Sequence, residues 1–271
     1  MSGFQNLHTH TTYCDGALSP EDMVGAAIGL GLSSLGISEH SYVPFDIYYS
    51  MDMIEASKYI AEVSALKSRY EDKIEIFLGL ERDYYTEEIP DGLDYVIGAL
   101  HYACVNGEYL SVDAGPDRQK EMVDLHFGGD FYALAENYFS VLSNIAVKTK
   151  PDIIGHFDLV SKYNLEGSLF DETNPVYISA ALCAMDEILK TCNLFEANTG
   201  AMYRLGKKEP YPSTFFLKEL LKRGGEVIMS SDSHDAASIG YKFSDMLELL
   251  RFIGFRHIKR LTKGGFVNID I

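Results

Sequence analysis

The stretch IEIFLGLE (residues 74–81) decides the fold: an apolar run of strand length that stops abruptly on a carboxylate, Glu81. Six other runs behave alike. FQNLHTH (4–10) ends on His8 and His10, SLGISEH (34–40) on Glu39 and His40, and YVIGALH (95–101) on His101. DIIGHFD (152–158) carries His156 and Asp158, NLFEANT (193–199) carries Glu196 and Asn198, and EVIMSSDSH (226–234) carries Asp232 and His234. Short buried strands that each run into an imidazole or a carboxylate are the pattern of a parallel barrel whose C-terminal rim holds a site.

The segments between these runs read as amphipathic helices. Ser19-Pro20-Glu21-Asp22 combines a cap residue, proline at the first helical position and acids in the first turn, which starts a helix that runs to the Gly29–Gly31 region. Further helices are expected over 51–70, with Asp52 as cap, and over 131–149, 174–191, 212–224 and 243–254. Strand and helix in alternation specify an α/β protein with a parallel sheet closed into a barrel. Seven strands are well marked and FVNID (266–270) is a marginal eighth, so the expected form is a distorted seven-stranded (β/α) barrel. Residues 101–130 read as irregular, with a turn at VNGEY and a loop at DAGPD, and are expected to cover the site as a lid or side wall. No linker, low-complexity tract or repeat divides the chain, so residues 1–271 are expected to form one domain.

Composition excludes several classes of function. A net charge of −17 disfavours a nucleic-acid backbone as partner. No apolar stretch approaches the roughly 20 residues that cross a bilayer. MSGFQNL lacks the basic and apolar regions of a secretion signal, and the candidate ligands begin at His8, so a cytoplasmic location is expected. Cys14, Cys104, Cys183 and Cys192 form no CxxC pair and read as reduced thiols, with Cys14 beside Asp15 near the proposed site. Oligomeric state is not legible.

A single histidine at a strand end is most often a hydrogen-bonded structural residue, but six of the eight histidines fall at the ends of these runs. In His8-x-His10 and Asp232-x-His234 the period of two along a strand turns both side chains to one face. With His40, Glu81, His101 and His156 between them, these pairs converge on one volume, where so many imidazoles need cations or acids to satisfy them. His8, His10, His40, His101, His156 and His234 with Asp15, Glu81 and Asp232 make nine groups. A metal that also holds water takes three or four protein ligands, so nine groups with bridging carboxylates fit three divalent ions better than one. Nitrogen and oxygen ligation without thiolate suits zinc, iron or manganese.

These residues, from His8-x-His10 through Asp15, Glu39-His40, Glu81, GALH and GHFD to SSDSH, closely resemble the polymerase and histidinol phosphatase (PHP) family over residues 4–235, and within it the histidinol-phosphate phosphatases. The resemblance implies a distorted seven-stranded barrel. It also implies one ion held by His8, His10, Glu81 and Asp232, a second by Glu81, His101 and His156, and a third by Asp15, His40 and His234, with Glu81 as bridge. The implied activity is hydrolysis of L-histidinol phosphate, a step of histidine biosynthesis, by attack of a metal-bridging hydroxide on phosphorus.

For such a substrate Asp15 or His234 is the candidate proton donor to the leaving alcohol. Arg204 and Lys162 are the candidate phosphate-binding cations. Asn198 is a candidate substrate donor or a brace for its strand end, and Asp83 and Asp158 are candidates to orient ligand histidines. Tyr42, Phe45, Asp46, Tyr48, Tyr49 and the 101–118 region can receive the cationic end of the substrate, although packing explains most of the tyrosines equally well. A PHP phosphoesterase for another small phosphate or a nucleotide, and a nonenzymatic metal-stabilised module, stay open as alternatives.

Overall fold

The computed structural model describes residues 3–271. In chain order the strands are β1 (Gln5–Asn6), β2 (Ser34–Ile37), β3 (Glu75–Asp83), β4 (Tyr95–Ala99), β5 (Tyr102–Val105), β6 (Glu108–Ser111), β7 (Ile153–Ile154), β8 (Leu194–Asn198), β9 (Glu226–Ser230), β10 (His257–Thr262) and β11 (Gly265–Asp270). Seven of them form one sheet in the order β1-β2-β3-β4-β7-β8-β9, every pairing parallel. Beyond the ends of β1 and β9 the chain meets itself. A parallel bridge joins Thr9 to Ser233, Ser233 N–H donates to the His8 carbonyl at 3.0 Å, and His10 N–H donates to the Ser233 carbonyl at 2.8 Å. Asn6 adds its amide to Ser231 Oγ at 2.8 Å. The ring is thus nearly closed, as the seven runs predict.

Helices begin where cap chemistry places them. Ser19 accepts from Asp22 N–H at the start of the Pro20–Gly29 helix, and Asp52 and Glu55 form a reciprocal capping box at the start of Met53–Arg69. The helix expected over 131–149 is two, Phe131–Leu142 and Ile145–Thr149, because the chain breaks at Ser143 and Asn144. The section read as irregular contains the β5–β6 hairpin and an unforeseen helix, Pro116–His126. Pro116 is its first residue, a position that needs no N–H, so the proline read as loop punctuation is a helix start. FVNID is a strand, β11, but it stands outside the barrel, paired antiparallel with β10. That hairpin reaches the barrel through Leu261, whose N–H donates to Gln5 Oε1 and whose carbonyl accepts from Gln5 Nε2.

The barrel interior is filled by Leu7, Phe77, Tyr95, Ile97, Ile153, Leu194 and Ile228. Tyr95 crosses this space, its hydroxyl donating to the Leu7 carbonyl. Two glycines make room for it. A Cβ on Gly36 would stand 2.1 Å from Tyr95 Oη, and one on Gly79 would stand 2.2 Å from Tyr95 Cζ. Tyr95 is 1% exposed and has nowhere to retreat. Gly36→Ala is therefore expected to cost about 3 kcal/mol of stability through overpacking. Denaturant unfolding reads the loss, and an unchanged midpoint would contradict this account of the glycines.

Candidate metal centre

The C-terminal ends of the barrel strands open into a cleft of about 840 Å³. At its floor lies Glu81, 1% exposed, near the end of β3. Its Oε2 is 2.7 Å from His40 Nδ1, 3.4 Å from His8 Nε2 and 3.5 Å from His10 Nε2. Its Oε1 is 2.8 Å from His156 Nε2 and 3.4 Å from His101 Nε2. Five imidazoles therefore surround one carboxylate. Asp232 approaches from the other side, with Oδ1 at 3.6 Å from His8 Nε2 and 3.3 Å from His10 Nε2. At the mouth Asp15 stands 3.6 Å from His40 Nε2 and 3.1 Å from His234 Nε2. All nine predicted ligands are brought together. Asp232 takes the left-handed conformation, φ 46°, a departure from extended backbone just after β9 ends.

Three of these atoms, His8 Nε2, His10 Nε2 and Glu81 Oε2, are buried and make no well-aligned hydrogen bond, Glu81 Oε2 despite its 2.7 Å approach to His40 Nδ1, although they face one another. Unpartnered buried nitrogen and oxygen atoms are costly unless something else satisfies them, and converging lone pairs fit a cation. Three overlapping sets have ligand atoms within 4.8 Å of one another: His8, His10 and Asp232; His40, Glu81 and His101; and His10, Cys14, Asp15 and His40. The donor chemistry suits several divalent ions sharing carboxylates.

Charge supports the same arrangement. Burial raises the cost of ionising Glu81, but His8, His40 and His101 outweigh it and hold the carboxyl well below its usual range. Burial likewise opposes ionisation of Asp232, and Arg204 and His8 reverse it. Burial, with His40 and His234, depresses His10 to about 3, so its ring is neutral and offers a lone pair. Burial pulls His8 down, but Glu196, Glu81 and Asp232 carry it well above its ordinary range. A proton and a divalent cation thus compete for the same negative charge, and metal affinity falls as the solution is acidified.

Outside this ring, Asp83 accepts from His101 Nδ1–H at 3.1 Å and from the His101 backbone N–H at 3.2 Å, the orienting role expected of it. Asp158 does not touch a ligand histidine. It stands just before the Leu159–Ser161 3-10 turn and accepts from Ser213 N–H at 3.0 Å. Asn198 is fully buried and does not line the cleft; its amide donates to Glu196 and its carbonyl oxygen accepts from Gly200 N–H, so it braces the strand end. Arg204 and Lys162 both line the cleft. Arg204 Nη2 donates to Asp232 Oδ2 at 2.6 Å, and Lys162 Nζ to Asp113 Oδ2 at 3.0 Å. Phe45, Asp46 and Tyr49 reach the cleft, whereas Tyr48 is 96% exposed.

Glu196 is the residue whose role the runs did not disclose. It accepts from His8 Nδ1–H at 2.5 Å, from His156 N–H at 3.0 Å and from Asn198 Nδ2 at 3.0 Å. Burial opposes its ionisation, and His8 overrides that. The bond fixes the His8 proton on Nδ1 and leaves Nε2 free to ligate. In Glu196→Gln, either orientation of the amide sets donor against donor, at His8 Nδ1 or at His156 N–H. Metal affinity is expected to fall about 10- to 100-fold, measured by titration against a competing chelator; unchanged affinity would exclude this role. Glu39, also at a strand end, points elsewhere and ties Thr11 and Cys14 into the loop that carries Asp15.

The sequence profile of the PHP domain matches residues 6–198. The chain belongs to the PHP family. A Deinococcus radiodurans protein named "Probable histidinol-phosphatase" is 30% identical, covering 96% of this chain and 99% of the relative. The histidinol-phosphatase of Bacillus subtilis is 26% identical over 89% of this chain and 97% of its own length. Among solved PHP structures, a histidinol phosphate phosphatase of Lactococcus lactis, complexed with zinc, L-histidinol and phosphate, superposes with a TM-score of 0.68 at 20% identity, covering 98% of this chain and all of that one. The barrel expected from the runs is the fold of this family.

Proposed function

We propose that this protein is a metal-dependent phosphomonoesterase that hydrolyses L-histidinol phosphate to L-histidinol and phosphate, a step of histidine biosynthesis. The observation that carries the reading is the convergence of unpartnered ligand atoms from His8, His10 and Glu81 beside Asp232, at the floor of a cleft flanked by Arg204 and Lys162. The names of relatives that cover 96% and 89% of the chain support this substrate. Divalent cations, when bound, would supply Lewis acidity and a more acidic water as nucleophile.

The protein's residues supply the rest. His8, His10, Glu81 and Asp232 would hold one ion, Glu81, His101 and His156 a second, and Asp15, His40 and His234 a third. Arg204, braced by Asp232, and Lys162, braced by Asp113, present positive charge to the phosphate oxygens. Asp15 or His234, 3.1 Å apart at the mouth, or a water held by them, donates the proton that the leaving alkoxide requires. Residues 1–271 act as one unit. Among the described residues no helix is long and apolar enough to cross a membrane, and the four free cysteines suit a reducing cytoplasm.

The test is phosphate release from L-histidinol phosphate by the metal-loaded protein, beside p-nitrophenyl phosphate, AMP and a His8→Ala control. Turnover that prefers histidinol phosphate and disappears in the control supports the proposal. Equal turnover of all three esters refutes the substrate.

A further inference from the structure

Three long cationic side chains line the cleft. Arg118 is exposed and makes no ion pair among the described residues, whereas Arg204 lies against Asp232 and His234, and Lys162 against Asp113, so these two cations mark one side. The other side is reached through His40. Tyr49 packs its ring edge-on to His40 at 4.7 Å, and its hydroxyl is 2.7 Å from that of Tyr102. Tyr102 in turn donates to Asp46 Oδ2 at 3.1 Å. Phe45 stands perpendicular to Tyr102 at 4.8 Å and stacks on Tyr109 at 4.0 Å, which locks the loop after β2 onto the β5–β6 hairpin.

The carboxylates lining this cleft fall into three kinds. Asp15, Glu81, Asp113 and Asp232 each face an imidazole or a cation of the protein. Glu108 and Glu121 are exposed and make no side-chain hydrogen bond among the described residues. Asp46 differs from both. It is partly buried, held in place by Tyr102, and has no cationic partner among the described residues. An oriented carboxylate framed by aromatic rings, in the same cleft as a phosphate site, fits a cation belonging to the substrate.

We infer that Asp46, oriented by Tyr102, is the specificity-determining residue that binds the alkylammonium group of an amino-alcohol phosphate. This inference rests on the phosphatase reading above. Asp46 is the contact, Tyr102 is its positioning residue, and the dianionic end of the same molecule lies toward Arg204 and Lys162.

The test uses the full-length, metal-loaded protein and two esters, L-histidinol phosphate and the amine-free p-nitrophenyl phosphate. In Asp46→Asn the ratio of their kcat/KM values is expected to fall at least about tenfold, carried mainly by KM for histidinol phosphate, the size of a lost hydrogen bond to a charged group. Tyr102→Phe is expected to shift the ratio the same way by less. Inhibition of p-nitrophenyl phosphate hydrolysis by L-histidinol gives a second readout, and its inhibition constant is expected to rise about tenfold in Asp46→Asn. If both esters lose activity in equal proportion, or the inhibition constant does not move, the inference is overturned while the phosphatase reading stands. A wild-type protein that turns over both esters but does not prefer histidinol phosphate removes the substrate reading on which the inference rests.

Discussion

Glu81→Gln is expected to lower phosphate release by about 10²- to 10³-fold, the scale seen when one preorganised electrostatic group is lost from a reacting centre. The substitution keeps shape and volume but removes the charge that five imidazoles share, His8, His10, His40, His101 and His156. The two proposed metal groups would lose their common carboxylate, and the new amide would present N–H donors where lone pairs are needed. Because His8 and His101 are held well above their ordinary range partly by Glu81, the variant also binds fewer protons in this cluster. Elemental analysis of the purified variant is the independent readout: fewer metal ions per chain than wild type, with an unchanged circular dichroism spectrum. Full metal content together with full activity would refute the role of Glu81 as bridge.

Chelation is expected to abolish turnover and also to lower Tm. A ligand present at one hundred times its dissociation constant stabilises the folded state by about 2.7 kcal/mol. For a chain of this size that corresponds to a fall of about 5–10 °C when the ligand is removed. The physical source is the floor of the cleft, where His8 Nε2, His10 Nε2 and Glu81 Oε2 make no well-aligned hydrogen bond. Activity and Tm are expected to return together when zinc, iron(II) or manganese is added back. Loss of activity with no change in Tm would mean that the ions are held without stabilising the barrel, and no loss of either would exclude a metal centre.

The nine convergent side chains were legible because each follows an apolar run or the loop just after one, so chain order alone brought them to one rim. The partners behind them were less legible. Glu196, Glu39 and Glu81 all end buried runs, yet they face His8, Thr11 with Cys14, and five imidazoles respectively. Position on a strand fixes the face of a side chain but not which neighbour a barrel's twist puts opposite it. Asp158 and Asn198 show the same limit from the other direction: both stand at strand ends and neither enters the cleft. The Pro116–His126 helix is not evident from the sequence because Gly115 and Pro116 signal a loop as readily as a helix start; burial of Met122, Val123 and Gln119, the last bonded to Val112 and Val160, marks it as packed. β10 was missed because HIKRLT interleaves charge with apolar residues, and the short turn before Gly265 sends FVNID back along it instead of into the barrel.

Closure of the ring by Thr9 and Ser233 has a consequence for biosynthesis. Asn6 and Ser231, which brace that seam, are 225 positions apart, and the proposed ligands run from His8 to His234. Contacts of such long range form late, after the entropy of closing a large loop has been met. Ribosomes deliver the chain from its N-terminus, so His8 and His10 emerge long before Asp232 and His234 can join them. The ligand sets that need Asp232 or His234 therefore stay half-built on the nascent chain, and the full complement of nine groups exists only once residue 234 has been added.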